Sequence, residues 1–266
     1  RNSRTTIRRV HMIKSPLKNT TTLNKSLNRL LEEIPVGSVV DSFLLYSGEM
    51  EIAMASNNRF VCAHTNKYAI YEFWHSLGAD PRRMYNMITS DKFKFREEMY
   101  EILQEKWVEY KDPIVRSSLF FILNQMSETG TVSSGKLIPK SFNPIALSNL
   151  REYQTMDTLH IVLDKPDSFT DSINSKLDGD HILVNAGNFS YNLFEHGKSQ
   201  SYDTTSVNHR KLKHTMQTIG RNMLLVYNYD KRLPAFYKQH RQILIDKYGR
   251  ETKTQEAAQE IIVANF

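Results

Sequence analysis

Cysteine is nearly absent from this sequence, and long apolar runs are missing. Cys62 is the one cysteine among 266 residues, which excludes a disulfide framework and a thiolate metal cage and fits a reducing compartment. No apolar run approaches the roughly 20 residues that a membrane-spanning helix needs. The sequence has nine histidines, but no Cys/His pair has zinc-ligand spacing. We therefore expect a soluble, intracellular domain with no metal site and no membrane partner.

Acidic residues are missing from the first 30 positions, and this uneven charge limits the choice of partner. Residues 1–30 carry a net charge of +8 and residues 208–266 carry +6, whereas 31–130 and 131–207 carry −5 and −3. The mildly acidic middle excludes a uniformly basic DNA-binding body. The basic character therefore belongs to the two ends of the chain.

The basic N-terminal arm, residues 1–14, has three interpretations. It is an arm that binds nucleic acid or an acidic partner, the remainder of an Arg- and Ser-rich organellar targeting peptide, or a solvated tail. The sequence does not begin with Met, so the native N-terminus is open.

Apolar periodicity predicts alternating strands and helices along the rest of the chain. Strands are expected at 37–46, 59–64, 158–164, 180–186, 222–229 and 260–266, and helices at 23–34, 66–78, 94–111, 115–126, 209–220 and 235–249. This alternation predicts an α/β fold with a mostly parallel sheet and helices on both faces. The division expected is an α/β domain from 15–78 and 155–266, interrupted by a helical insertion at 79–154.

An ordered series of segments resembles the Dam-type adenine-specific DNA methyltransferases of phages and bacteria. It comprises IKSPLKNTTTLNKSLNRLLEEIP (13–35), VVDSFLLYSGEMEIAMAS (39–56), RFVCAHTNKYAIYEFWHSL (59–77), FFILNQMSETGTVSSGKLIPKSFNP (120–144), GDHILVNAGNFSY (179–191) and VNHRKLKHTMQTIGRNMLLVYNYD (207–230). The resemblance implies a Rossmann-like, S-adenosylmethionine-dependent methyltransferase fold. It also implies that the insertion is a small target-recognition subdomain.

The positions that bind S-adenosylmethionine in the family are overwritten here. Asp41 and Phe43 of the first strand motif are kept, but Leu45 and Tyr46 replace glycines that let the backbone approach the cofactor. His64 or Thr65 stands where the family has the acidic residue that holds the ribose. We expect these to be vestigial positions and the cofactor site to be lost.

The catalytic motif is also degenerate. The family polarises a flipped adenine with an Asp-Pro-Pro-Tyr loop, which here reads Asn185, Ala186, Gly187 and Asn188. The prolines that fix the loop are gone, and Asn188 cannot stack on a base. Phe189 or Tyr191 could do so only from a shifted register. No catalytic residue is therefore assigned.

The candidate nucleic-acid contacts are basic residues at the two ends and in the insertion. They are Arg4, Arg8, Arg9, Lys136, Lys140, Arg210, Lys211 and Lys213. Contacts of this kind bind phosphates without reading sequence. The alternative for each is a solvated surface position.

The function expected is that of a catalytically inactive methyltransferase-like protein that binds nucleic acid or serves as a scaffold subunit. One alternative is a structural protein-interaction subunit of a virion, a transcription complex or an organellar ribonucleoprotein. Another is an active methyltransferase with divergent motifs. The corresponding locations are a bacterial cytoplasm or phage particle, or the mitochondrial matrix if the N-terminus is a targeting peptide.

Overall fold

The chain alternates strands and helices in the computed structural model, which describes residues 14–18, 24–94, 96, 98–133, 136–138, 143–165, 169–175, 179–189, 202–203 and 205–266. The helices are α1 (Leu27–Glu33), α2 (Glu49–Ser56), α3 (Tyr68–Ala79), α4 (Pro81–Thr89), α5 (Met99–Lys106), α6 (Pro113–Met126), α7 (Pro144–Arg151), α8 (Phe169–Asn174), α9 (His209–Thr218) and α10 (Leu233–Phe236). The strands are β1 (Val39–Phe43), β2 (Phe60–Thr65), β3 (Leu159–Leu163), β4 (His181–Gly187), β5 (Asn222–Asn228), β6 (Arg241–Asp246), β7 (Glu251–Thr252) and β8 (Ala258–Ala264).

The described strands form one sheet in the order β3-β2-β1-β4-β5-β8-β6-β7. The strands β1 to β5 pair in parallel. β8 is antiparallel to both β5 and β6, and β7 is antiparallel to β6. The predicted α/β fold with a mostly parallel sheet is confirmed.

Apolar side chains are buried on both faces of this sheet, because successive residues of a strand point to opposite faces. In β5, Leu224 and Val226 join one core cluster, whereas Leu225 and Tyr227 join the other. The first cluster packs against α1, α2, α3 and the helices of the 79–154 region. The second packs against α8, α9 and α10. Helices therefore cover both faces, as expected.

The prediction of a helix at 235–249 was wrong. Only the short α10 and a turn precede β6, which runs from Arg241 to Asp246. Ile243 and Ile245 alternate with more exposed neighbours and are 4% and 0% exposed. This two-residue period places them on the core face of a strand that pairs with β8. Antiparallel pairing with a distant segment thus decides between two interpretations of an apolar stretch.

The described part of the 79–154 region is largely helical and packs on α3. The helices α6 and α4 both contact α3, and α4 contacts α7. α6 begins at Pro113, and the side chain of Asp112 accepts hydrogen bonds from two amides of its first turn. The expected long helix at 94–111 is shorter, because α5 extends only from Met99 to Lys106.

Candidate functional site

The strand order changes direction at β1, and this produces a crevice at the carboxyl ends of β1 and β4. β2 and β3 extend the sheet on one side of β1, and β4 and β5 extend it on the other. Ligands of open α/β sheets bind at such a switch point. Phe43 of β1 lies in register with Val184 of β4. The residues that follow β1 and those that end β4 therefore meet at one place.

The loop after β1 carries buried side chains where the resemblance predicts cofactor-binding glycines. Leu45 and Tyr46 are 3% and 5% exposed. The Leu45 amide donates to the His64 carbonyl at 3.0 Å, and the indole of Trp74 donates to the Tyr46 carbonyl at 2.9 Å. A Cβ added at Gly48 would lie 2.6 Å from the Trp74 ring. The loop is thus packed from both sides.

Tyr46 is hydrogen-bonded to a segment that follows β4. Its hydroxyl lies 2.8 Å from Oδ2 of Asp203 and 2.9 Å from the carbonyl of Gly130. Burial, and then the Asp203 carboxylate, raise the pKa of Tyr46 well above its usual value. The hydroxyl therefore stays protonated and donates to these acceptors.

Asp203 joins the same segment to the insertion. The residue is 2% exposed, and its carboxylate accepts from the amides of Val132 and Ser133 at 2.6 and 3.2 Å. It also accepts from the Ser133 hydroxyl. Two residues further on, Thr205 donates to the side chain of Asn66 at 2.7 Å. Asp203 and Thr205 are therefore bound to the residues that follow β1 and β2.

Residues 14–18 also reach this region. The Ser15 hydroxyl donates to the carbonyl of Ser47 in the loop after β1. Lys18 donates its amide to the side chain of Asn124 at 2.8 Å and its ammonium to the carbonyl of Ser127 at 3.0 Å. Burial lowers the pKa of Lys18. Residues 14–18 are therefore hydrogen-bonded both to the loop after β1 and to the C-terminal end of α6.

His64 lies near the end of β2, where the family has its acidic residue. Its Nδ1 is 3.1 Å from Oδ1 of Asp164, and its Nε2 is 3.4 Å from Oδ1 of Asp41. The imidazole stacks on Phe43 at 4.5 Å between centroids, with the planes 13° apart. Burial opposes the charged form, but the bonds to Asp164 and Asp41 raise the pKa of His64 to about 9.

A protonated His64 cannot accept a hydrogen bond from a ligand at this position. Both of its ring nitrogens donate to carboxylates, so it offers no acceptor to ribose hydroxyls. Asp41 is also engaged, since its Oδ2 accepts from the Gly179 amide at 3.0 Å and lies 3.6 Å from the Arg221 guanidinium. The neighbouring Thr65 is 4% exposed, and its hydroxyl accepts from the Lys67 amide at 3.2 Å.

The segment that was compared with the family's catalytic motif forms an irregular end of β4. The pairing with β5 shifts register between Asn185 and Gly187, and Gly187 has φ of +66°. Ala186 is 5% exposed. The Asn188 side chain accepts from Asn228 at 2.8 Å. A positive φ at the place of a proline excludes the rigid backbone that the family's motif supplies.

Phe189 is packed in the core on the α9 face and does not offer its ring to a base. It is 5% exposed and lies 4.9 Å from the ring of His209. The Arg232 guanidinium lies 5.3 Å from its centroid and donates to its carbonyl at 3.0 Å. Tyr191, the other residue considered for stacking, lies outside the described residues.

The predicted basic contacts at the C-terminal end lie on α9. Arg210 is exposed. Lys211 forms an ion pair with Asp171 at 2.6 Å, and the Lys213 ammonium donates to the Phe236 carbonyl at 2.6 Å. From residue 209 to residue 241 the sequence has eight Lys or Arg and a single acid, Asp230. Lys211, Arg221, Arg232 and Arg241 each lie beside a carboxylate. The exposed residues Arg210, Lys231 and Lys238, on and after α9, are the basic surface of this region.

The other predicted contacts are less defined. Lys136 is exposed beside the short bridge between Ser127 and Leu137. The remaining four lie outside the described residues: Arg4, Arg8, Arg9 and Lys140.

Sequence reasoning missed Asp203, because a lone aspartate in an irregular segment carries no pattern. It also missed Trp74 as a neighbour of the loop after β1.

A scan against protein-family models and a search of the curated proteins find no match to this chain. The helices in the described part of the chain fall short of the length and apolar character required to cross a bilayer. The same residues contain no group of three or more His, Cys, Asp or Glu side chains placed to hold a metal ion.

Proposed function

We propose that this chain is a methyltransferase-like protein that has lost S-adenosylmethionine binding and methyl transfer and that binds nucleic acid through its basic surface. The residues at the carboxyl ends of β1 and β2 support the loss of S-adenosylmethionine binding. Buried Tyr46, fastened to Asp203, stands where the family requires bare backbone. His64 holds a positive charge where the family requires a carboxylate.

The sheet supports the methyltransferase-like assignment. Its parallel part, β3-β2-β1-β4-β5, has the Rossmann order, which continues here with the antiparallel strand β8 between β5 and β6. The ordered motif resemblance points the same way.

The cofactor part of the proposal is tested by titration calorimetry of S-adenosylmethionine into the purified chain. We expect no heat of binding at millimolar ligand, because the buried side chains of Leu45 and Tyr46 stand where the family has glycines. The quadruple variant N185D/A186P/G187P/N188Y should also transfer no methyl group to DNA, since it leaves Leu45, Tyr46 and His64 in place. Micromolar binding by the natural chain would favour the active-enzyme alternative.

The nucleic-acid part predicts that charge on the α9 surface sets affinity. Replacing Arg210 and Lys238, both exposed, with glutamine should weaken binding to duplex DNA or RNA about tenfold at low salt. It should also reduce the salt slope by about two, because each replacement leaves one phosphate without its cation. Fluorescence anisotropy over a salt series measures both quantities. Lys136→Gln in the insertion should weaken binding by a smaller factor.

A matched control comes from the acidic middle of the chain. Lys106 and Lys111 are exposed on and after α5, and their replacement by glutamine removes the same net charge. This control should bind as the natural chain does. Equal weakening in both doubles would indicate a net-charge effect and count against the α9 surface. Absence of binding by the natural chain would leave the structural-subunit alternative, which the acidic middle favours.

A further inference from the structure

In the part of the chain that the structure describes, β3 is the end strand of the sheet, and no other strand pairs with its outer side. The Thr158 carbonyl accepts from the Val61 amide at 2.8 Å, and the Asp164 amide donates to the Thr65 carbonyl at 2.8 Å. Parallel pairing uses alternate residues of a strand. The amides and carbonyls of Ile161 and Leu163 therefore point away from β2, toward the open edge.

This edge lacks the features that normally prevent strand addition. β3 reads LHIVL, without charge or proline, although exposed edges are usually protected by charged residues, proline or a bulge. Leu163 is 40% exposed. At the opposite edge, β7 has only two residues, one of them Glu251. Of these two edges, the β3 edge is therefore the one at which another strand can pair.

We propose that β3 pairs with β3 of a second copy of this chain, antiparallel about a two-fold axis at Ile161. The strand is apolar and nearly symmetric about this residue, so Leu159 would lie opposite the partner's Leu163. Leu159 already donates its amide to the Met156 carbonyl at 3.0 Å. The outward groups of Ile161 and Leu163 then supply about four main-chain hydrogen bonds between the copies.

Opposite charges at the two ends of β3 favour a second copy of the chain as the added strand, and they favour this register. Asp157 and Lys165 are exposed, and each lies four residues from Ile161. Asp157 lies in the turn that precedes β3. The two-fold arrangement brings the end of β3 that carries Asp157 beside the partner's end that carries Lys165, and it does so twice. Opposite charges across an antiparallel pair stabilise it, and like charges destabilise it. A strand that carries one charge of each sign at equal distance from its centre is complementary to itself.

A cleft beside the strand gives the partner's side chains a place to pack. It has a volume of about 360 Å³ and lies between α3 and β3, and its lining includes Tyr71, His75, Tyr153, Met156 and Leu159. Leu159 and Ile161 point to this same face, where they pack against the core. The partner's Leu163 would enter the cleft on that face. Main-chain pairing and side-chain burial then act together, as in other cases of strand addition.

Sedimentation velocity of the full chain over a concentration series tests the pairing. We expect the mass to rise from 31.0 kDa to twice that value. Asp157→Lys and Lys165→Asp should each weaken the dimer about tenfold, because each places like charges opposite one another twice. The double variant D157K/K165D exchanges the charges and should restore the natural dissociation constant. Both positions are exposed, so folding is not at risk.

A second pair of variants addresses the apolar edge. Leu163→Lys should leave a monomer at concentrations where the natural chain is dimeric, whereas Ile145→Lys, at a position 66% exposed on α7, should not. A natural chain that stays monomeric up to the highest concentration overturns the proposal. A dimer that ignores Leu163→Lys, or a charge exchange that fails to restore affinity, overturns it as well. The proposal does not depend on nucleic-acid binding.

Discussion

Replacing Asp203 with alanine is expected to lower the free energy of unfolding by about 4 kcal/mol. The carboxylate accepts from the Val132 and Ser133 amides, which would lose their acceptor. The Tyr46 hydroxyl also donates to it but would keep the Gly130 carbonyl. Each buried donor left without an acceptor costs about 1–3 kcal/mol, and such unsatisfied groups account for the largest effects of single substitutions. Urea unfolding followed by circular dichroism measures the change.

Two further variants test whether the loss of stability in Asp203→Ala comes from its hydrogen bonds or from its charge. Tyr46→Phe removes one hydroxyl and leaves the amide bonds of Asp203 intact, so it should cost only about 1–2 kcal/mol. Glu105→Ala, on an exposed turn of α5, removes the same charge as Asp203→Ala and should change stability by less than about 0.5 kcal/mol. If Asp203→Ala behaved like Glu105→Ala, the segment after β4 would not be fastened in solution.

Under the proposed function, this network also links stability to the loss of methyl transfer. The proposal requires that the loop after β1 no longer admits S-adenosylmethionine. The Asp203 carboxylate binds Tyr46 of that loop and the Val132 amide of the insertion. The interactions that the proposal treats as obstructing the cofactor therefore also stabilise this region.

The order of strands and helices could be predicted from local patterns, and the site could be predicted only in part. Short continuous apolar runs identify β1, β2, β4 and β5, because parallel strands are buried on both faces and are rich in β-branched residues. The substitutions at Leu45 and Tyr46 were visible because glycine has a unique backbone role. Both signals are contained within a few neighbouring residues.

The contacts that complete the site depend on residues far apart in the chain. Tyr46 and Asp203 are separated by 157 positions, and His64 meets Asp164 across 100. No periodicity or motif connects such pairs, since only the folded sheet brings them together. The wrong helix at 235–249 has the same origin, because pairing with β8 makes β6 a strand.

Stability should fall as the pH rises from about 6.5 to about 9, because His64 is charged in the folded protein. Its pKa is raised from 6.5 to about 9. A group whose folded pKa is higher than its unfolded pKa stabilises the protein fully below the unfolded value and loses that effect as the pH passes the folded value. A shift of this size corresponds to about 3 kcal/mol. Thermal or urea unfolding at half-unit steps of pH measures the fall.

His64→Gln separates this effect from the other titrating groups. Glutamine still donates a hydrogen bond to one carboxylate but does not titrate, so the variant should be less stable at pH 6 and nearly level with the natural chain at pH 9.5. Cys62, two residues earlier on the same strand, is present in both proteins, and its titration cancels in the difference. A difference between the two proteins that did not change with pH would show that His64 is neutral between Asp41 and Asp164. The positive charge assigned to His64 would then be absent, and the proposed loss of S-adenosylmethionine binding would depend on the buried loop after β1 alone.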